Sequence, residues 1–187
     1  YLKRFEELGI RSEFVRTIDD AYTAQAMIIT DMDNNQINGF HPGAMELAWQ
    51  TRIHRRDDIH LGIIAPDGRD AMLQHAAQFA ESDIPFVFDP GQQLPRFDGA
   101  ELRDFITKAS WVAVNDYEGK MLCDRTGWDI AEISAKVRGM IVTIGAQGSE
   151  VWIEGRKTHV PAVTATAVVD PTGCGDAYRG ALLIGME

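Results

Sequence analysis

Apolar positions along the chain fall into two kinds of run. One kind is short and continuous: His60 to Ala65, Pro85 to Phe88, Trp111 to Val114 and Met140 to Ile144. Short apolar runs bounded by polar or glycine residues predict strands buried on both faces, as in a parallel sheet. The other kind has helical spacing. Between Asp67 and Ser82, the residues Ala71, Met72, His75, Ala76 and Phe79 recur at that spacing. Leu102 to Ala109, Glu118 to Cys123 and Ile130 to Val137 predict further helices. Tyr1 to Leu8 predicts a short amphipathic helix closed by Gly9, a residue suited to the left-handed position after a helix.

Two stretches depart from this alternation. Tyr22 to Thr30 is strand-like, Asp31-Met32-Asp33-Asn34-Asn35 is turn chemistry, and Gln36 to Phe40 predicts a returning strand before His41-Pro42-Gly43 breaks the chain. Val151 to Ile153 and Thr158 to Pro161 predict a second hairpin around Gly155. Ala165 to Val169 predicts a last strand, after which Pro171-Thr172-Gly173-Cys174-Gly175 leads into a helix. Four apolar strands alternating with helices predict an α/β fold with a mostly parallel sheet, and the first hairpin is a separate small β element.

Composition narrows the functional classes. The chain has 187 residues, is 45% hydrophobic and 25% charged, and carries a formal charge of −10. The length suffices for a core without disulfide or metal support. The acidic balance argues against nucleic acid as a partner, because binding a phosphate backbone needs a basic face. A small phosphorylated ligand stays open, since a nest of backbone amides can hold an anion. Cys123 and Cys174 alone suggest no disulfide framework and fit a reducing compartment, the cytoplasm. No apolar run reaches the length of a membrane span. His41, His54, His60, His75 and His159 lack metal-ligand spacing, so zinc is not expected.

In open α/β sheets, ligands bind beyond the carboxyl ends of the strands. The residues there are Asp89 with Gln92 and Gln93, Asn115 with Glu118, Thr143 with Gly145 and Gly148, and Asp170 through Asp176. Gly173-Cys174-Gly175 puts small residues where a helix begins, which lets backbone amides approach an anion. Asp176 follows in the first turn, placed to take a proton from a hydroxyl that attacks a phosphoryl group. On spacing alone, Asp176 is equally well a helix-start carboxylate favoured by the helix dipole. Asn115 likewise suits a helix N-cap, Glu118 an exposed helix position and Thr143 strand-end packing. Phe40 suits the core of a hairpin, and Gln92 and Gln93 a solvated loop.

The segment from Asp170 to Leu182, DPTGCGDAYRGAL, resembles the C-terminal signature of the ribokinase, or PfkB-type, kinase family. The resemblance implies a ribokinase-like fold, with Asp176 as catalytic base and Gly173, Cys174 and Gly175 as an anion hole. Cys174 stands where the family usually has Ala, Ser or Gly. Asn115-Asp116-Tyr117-Glu118 resembles the family's Asn-x-x-Glu element, which implies a role for Asn115 and Glu118 near Mg2+ and phosphate. Thr143, Gly145 and Gly148 match a Thr-x-Gly-x-x-Gly turn that contacts the nucleotide, ATP. Asp170 and the backbone of Thr172 match positions that bind K+ in potassium-activated members.

The first half is similar to bacterial adenosine kinases of this family, through Tyr22 to Ala26, Asn35-Gln36-Ile37, Phe40 to Met45 and Asp89 to Leu94. That similarity implies a lid formed by the first hairpin, an aromatic face at Phe40 against the nucleoside base, and Gln92 and Gln93 lining the acceptor site. An aromatic can occupy the position of Ala26 in the nucleoside enzymes. Residues 13–42 are expected to contribute lid strands and 59–187 the nucleotide-binding α/β part of one kinase domain. A homodimer through the lid strands is a further expectation, because such strands often pair between subunits.

The implied reaction is phosphoryl transfer from ATP to the 5′-hydroxyl of adenosine, giving AMP. A ribose- or fructose-type sugar kinase and a non-catalytic nucleotide-binding module are the alternatives. A Rossmann-type dehydrogenase is disfavoured, because no Gly-x-Gly-x-x-Gly follows an early strand. The chain opens at Tyr1 without an initiator Met and stops at Glu187 within a predicted helix. The family's N-terminal Gly-Gly segment with its acceptor-binding Asp, and its C-terminal helices, have no counterpart here. The expectation is therefore a partial kinase sequence.

Overall fold

The computed structural model describes residues 1–32, 36–167 and 173–186. After a short helix α1 (Leu2–Glu7), strands β1 (Gln25–Thr30) and β2 (Gln36–His41) form an antiparallel two-stranded sheet. A 3-10 helix (Gly43–Gln50) leads out of it, tied back where the Ala44 amide donates to the Tyr22 carbonyl at 2.8 Å.

The rest is one α/β layer structure. Strands β3 (Gly62–Ile64), β4 (Phe86–Phe88), β5 (Trp111–Asn115) and β6 (Gly139–Thr143) are parallel and lie in sequence order. Strands β7 (Ser149–Ile153) and β8 (Arg156–Val160) extend this sheet on the β6 side by antiparallel pairing. The second predicted hairpin is thus part of the main sheet.

Helices α2 (Arg69–Glu81), α3 (Gly99–Lys108) and α4 (Asp116–Thr126) pack side by side, with the short α5 (Ile130–Ser134) against β6. Strand periodicity sends Phe86, Phe88, Val112, Val114, Met140 and Val142 into one cluster with Met72, Leu102, Phe105, Ile106 and Leu122 of these helices. Each sequential crossover turns the same way, which sets the helices on one face.

Helix α6 (Cys174–Met186) starts at the carboxyl ends of the parallel strands. Its last residues, Leu183 to Met186, reach the cleft lined by Gly62, Pro85, Trp111 and Arg138 at the opposite ends. Unlike α2 to α4, it buries no residue completely.

Several boundaries differ from expectation for physical reasons. α3 starts at Gly99, before the predicted Leu102, because Asp98 and Glu101 form a capping box. Asn115 with Glu118 and Asp129 with Glu132 do the same for α4 and α5. β1 begins at Gln25, because the strand extends only as far as β2 can pair with it. The last predicted strand does not form over its described part, residues 165–167, which are exposed. A strand needs a neighbour for its backbone groups, and among the described residues none pairs with this segment. Val168 and Val169 lie outside the described residues, as do most of the turn 31–35 and the segment 168–172. Among the described residues no helix is long and apolar enough to cross a membrane.

Candidate active site

The carboxyl edge of the parallel sheet gathers most of the expected chemistry. Asn115 ends β5 and Thr143 ends β6, and the register sets them side by side. Asp89 follows β4, where its amide donates to the Ile64 carbonyl at the end of β3 (2.9 Å). The α6 turn comes to the same edge, held there when the Tyr178 hydroxyl meets Ser149 Oγ at 3.1 Å.

The start of α6 has the form of an anion site. Gly173 adopts φ +79°, a left-handed conformation that favours glycine, immediately before the helix. The first intrahelical bond runs from the Ala177 amide to the Gly173 carbonyl at 2.9 Å. The amides of Cys174, Gly175 and Asp176 precede it, on the turn where a helix offers free donors and positive potential. Cys174 is exposed, and the Asp176 side chain is 89% exposed, open to a partner in solution.

Asn115 and Glu118 serve the helix as well as any ligand. The Glu118 amide donates to Asn115 Oδ1 at 2.7 Å, and the Asn115 amide donates to Glu118 Oε2 at 2.9 Å. The capping role weighed for Asn115 is therefore real. The reciprocal bonds also hold both side chains in fixed orientation at the strand end, leaving the side-chain nitrogen Nδ2 of Asn115 and Oε1 of Glu118 outside the box.

Thr143 leads into a tight turn in which the Ile144 amide donates to the Gly148 carbonyl at 2.8 Å. Gly148 has φ +99°, and a Cβ there would sit 2.0 Å from the Val160 carbonyl oxygen. Only glycine lets residues 160–162 pass so close. Gly145, at φ +58°, has open space around it.

The expected acceptor residues are distributed unevenly. Phe40 on β2 is opposite Ala26 on β1 and is 54% exposed, so it is a surface aromatic here and the hairpin-core alternative fails. Gln92 and Gln93 lie on a 3-10 helix (Gly91–Arg96) after β4, with Gln92 exposed and Gln93 buried. Gln93 Oε1 accepts from Arg96 at 3.3 Å, and Arg96 also meets Glu46 at 3.2 Å. Asp170 and Thr172, matched to a K+ site, lie outside the described residues. Among the described residues no group of three or more His, Cys, Asp or Glu side chains could hold a metal by itself.

A profile of the pfkB family of carbohydrate kinases matches residues 1–186. The chain belongs to this family. A Burkholderia thailandensis nucleoside kinase, solved in complex with inosine, is 50% identical, superposes with a TM-score of 0.95, and is matched over 100% of this chain and 62% of that one. The same Burkholderia enzyme in complex with ADP-inosine superposes at 0.93, with 50% identity, over 100% of this chain and 58% of that chain. A nucleoside kinase of Methanocaldococcus jannaschii is 28% identical over 98% of this chain and 60% of its own length. The chain thus spans about 60% of the length of these pfkB-family relatives.

In this pfkB-family chain, the pairing of two residues, Asp89 and Arg179, has no signal in the sequence. Asp89, 1% exposed, is gripped by Arg179 of α6, whose Nε and Nη2 both meet its carboxylate, Nη2 at 2.9 Å from Oδ1. Burial pushes the Asp89 carboxyl up to about 6; the Arg179 guanidinium pulls the other way, and Glu118 and Asp176 add like charge. In sequence, Arg179 shows only as a member of the Asp170 to Leu182 signature, one helical turn after Asp176. Its partner stands 90 residues earlier.

Proposed function

We propose that the whole protein transfers the γ-phosphoryl group of ATP to the 5′-hydroxyl of a purine nucleoside, with adenosine the expected acceptor and inosine its 6-oxo counterpart. The observation that carries this is the similarity over the full chain to the Burkholderia nucleoside kinase whose structure holds inosine. The site is consistent with it. Asp176 takes the hydroxyl proton, the hydroxyl oxygen forms the new bond to phosphorus, and the bond from phosphorus to the β-phosphate oxygen breaks to release ADP. The amides of 173–176 stabilise the charge on the transferring group.

Thr143, Gly145 and Gly148 would contact the nucleotide. Phe40 offers an exposed ring to the base, and Gln92 and Gln93 offer amide donors and acceptors. Mg2+ fits the remaining donors in one specific sense. It keeps water and substrate phosphates as most of its ligands, so the free oxygen of Glu118 with Asn115 nearby suffices without a protein cage. When bound, it neutralises phosphate charge. Asp170 with Thr172 would hold K+.

In domain terms, residues 13–42 supply the lid and 59–187 the nucleotide side. The apolar hairpin suits pairing with a second copy, and the free thiols Cys123 and Cys174 suit a reducing cytoplasm.

Replacing Asp176 with Asn in the full-length protein is expected to lower kcat by about 100- to 10,000-fold while ATP binding persists. Near-normal turnover would overturn the assignment of the base. Initial rates with adenosine, inosine, ribose and fructose test the acceptor. Faster phosphorylation of either free sugar than of both nucleosides would replace this reading with a sugar kinase.

A further inference from the structure

Arg179 lies one turn beyond Asp176 on α6, and its three guanidinium nitrogens face in two directions. Nε and Nη2 bind the buried carboxylate of Asp89. Nη1 is left facing the turn that carries the base, 3.6 Å from Asp176 Oδ1. A Cβ on Gly175 would sit 2.6 Å from that nitrogen. Gly175 therefore leaves room for the guanidinium as well as for a phosphate.

We propose that Asp89 and Arg179 form a positioning pair that ties the base-bearing turn of α6 to the carboxyl end of β4. This rests on Asp176 being the base. Within this chain no α6 residue is completely buried, so what the chain itself supplies to fix the rotation and height of the first turn is largely polar. Among the described residues these polar contacts are the Tyr178 hydroxyl to Ser149 and the Arg179 fork. A two-pronged guanidinium–carboxylate contact fixes orientation as well as distance. Its other end is firm, because Asp89 is itself pinned by its amide to the end of β3.

Stability does not account for the pair. Desolvation of buried charges offsets their attraction, and at Asp89 burial outweighs the pull of Arg179. The groups facing Asp89 are Arg179 and Asp176 from α6 and Glu118 from α4, and the two carboxylates add repulsion. The pair's contribution is alignment. A small misplacement of a catalytic group lowers turnover by on the order of 100-fold.

The test uses the full-length protein and steady-state kinetics of Arg179→Met, Arg179→Lys, Asp89→Asn and the Asp89→Asn/Arg179→Met double variant, beside Asp176→Asn. At pH 7.5 each single change at the pair is expected to lower kcat by roughly 100-fold, with KM for ATP changed less than about threefold. Lysine should restore little, since an ammonium cannot grip both oxygens. The double variant should be no slower than the worse single one. Wild-type kcat should fall as pH drops through about 6, where Asp89 gains a proton and releases its hold, and Asp89→Asn should lack that limb.

Wild-type kcat in the single variants, additive losses in the double, or a KM rise matching the kcat fall would overturn the pair. Those results with Asp176→Asn inactive would remove the pair alone, whereas an active Asp176→Asn would remove the base assignment first. Should Arg179→Met fail to fold, the near-isosteric Asp89→Asn and its pH profile decide.

Discussion

Phe88 and Ile29 are both large apolar strand residues, yet Phe88 is 0% exposed and Ile29 is 70% exposed. The strand around Phe88 has a helix layer over it: its ring stacks on Phe105 of α3 with centroids 4.5 Å apart, and Phe97 closes on Phe105 edge-on at 5.0 Å. Among the described residues, the strand around Ile29 pairs only with its hairpin partner. Cross-strand pairing puts Met27, Ile29 and Ile37 on one face of the hairpin and Ala26, Ile28 and Phe40 on the other, and among the described residues nothing covers either face. A lone two-stranded sheet is marginal in water, and apolar patches of this kind mark surfaces that meet something else. The same residue types thus build a core in one region and an exposed apolar surface in the other, depending on what this chain lays over them.

That contrast can be broken or sharpened by experiment. In the sheet, Phe105→Ala should destabilise the protein by about 3–5 kcal/mol in chemical denaturation, because it removes a ring packed between two others. A loss under about 1.5 kcal/mol would mean that the helix layer is looser than the stacked rings imply. At the edge of the same sheet, burial acts against a charge. Asp89 binds its proton more tightly folded than unfolded, so its contribution to stability is present below its unfolded pKa and is lost as pH rises through about 6.

Wild type should therefore gain on the order of 2 kcal/mol relative to Asp89→Asn between pH 7 and pH 4. A flat difference would show that Arg179 fully compensates the charge. Asp98→Ala, which removes the cap of α3, should cost about 1 kcal/mol. Ile29→Ala in the hairpin should change unfolding by less than about 0.5 kcal/mol. A larger effect, or one that depends on protein concentration, would show that this face is covered in solution.

Local signals carried most of the fold. The four apolar runs became β3 to β6, as continuous apolar stretches do where a parallel sheet is covered. The capping pairs were present in the sequence as well: the Asp98-x-x-Glu101 spacing announces the start of α3, although apolar periodicity alone placed it three residues late. Residues 165–167 of the predicted strand 165–169 are unpaired among the described residues, which shows that propensity needs a partner strand before it makes a sheet.

At the site, Asn115, Thr143 and the 173–176 turn were legible because they follow strand or helix boundaries. Arg179 was not. Its meaning depends on a carboxylate 90 residues away, brought within reach only when α6 lies across the sheet.

The sequence by itself determined where the strands and helices fall, the place of the glycine turn before Asp176, and the alternation that makes an α/β sheet. These are short-range matters of periodicity, capping and steric freedom. Only the tertiary structure decided that the second hairpin joins the main sheet, that the rest of this chain's described residues do not pack on the first hairpin's apolar residues, and that Asp89 and Arg179 share one contact. Each of those depends on which surfaces meet, and burial and electrostatic pairing belong to distances in space that sequence separation does not set.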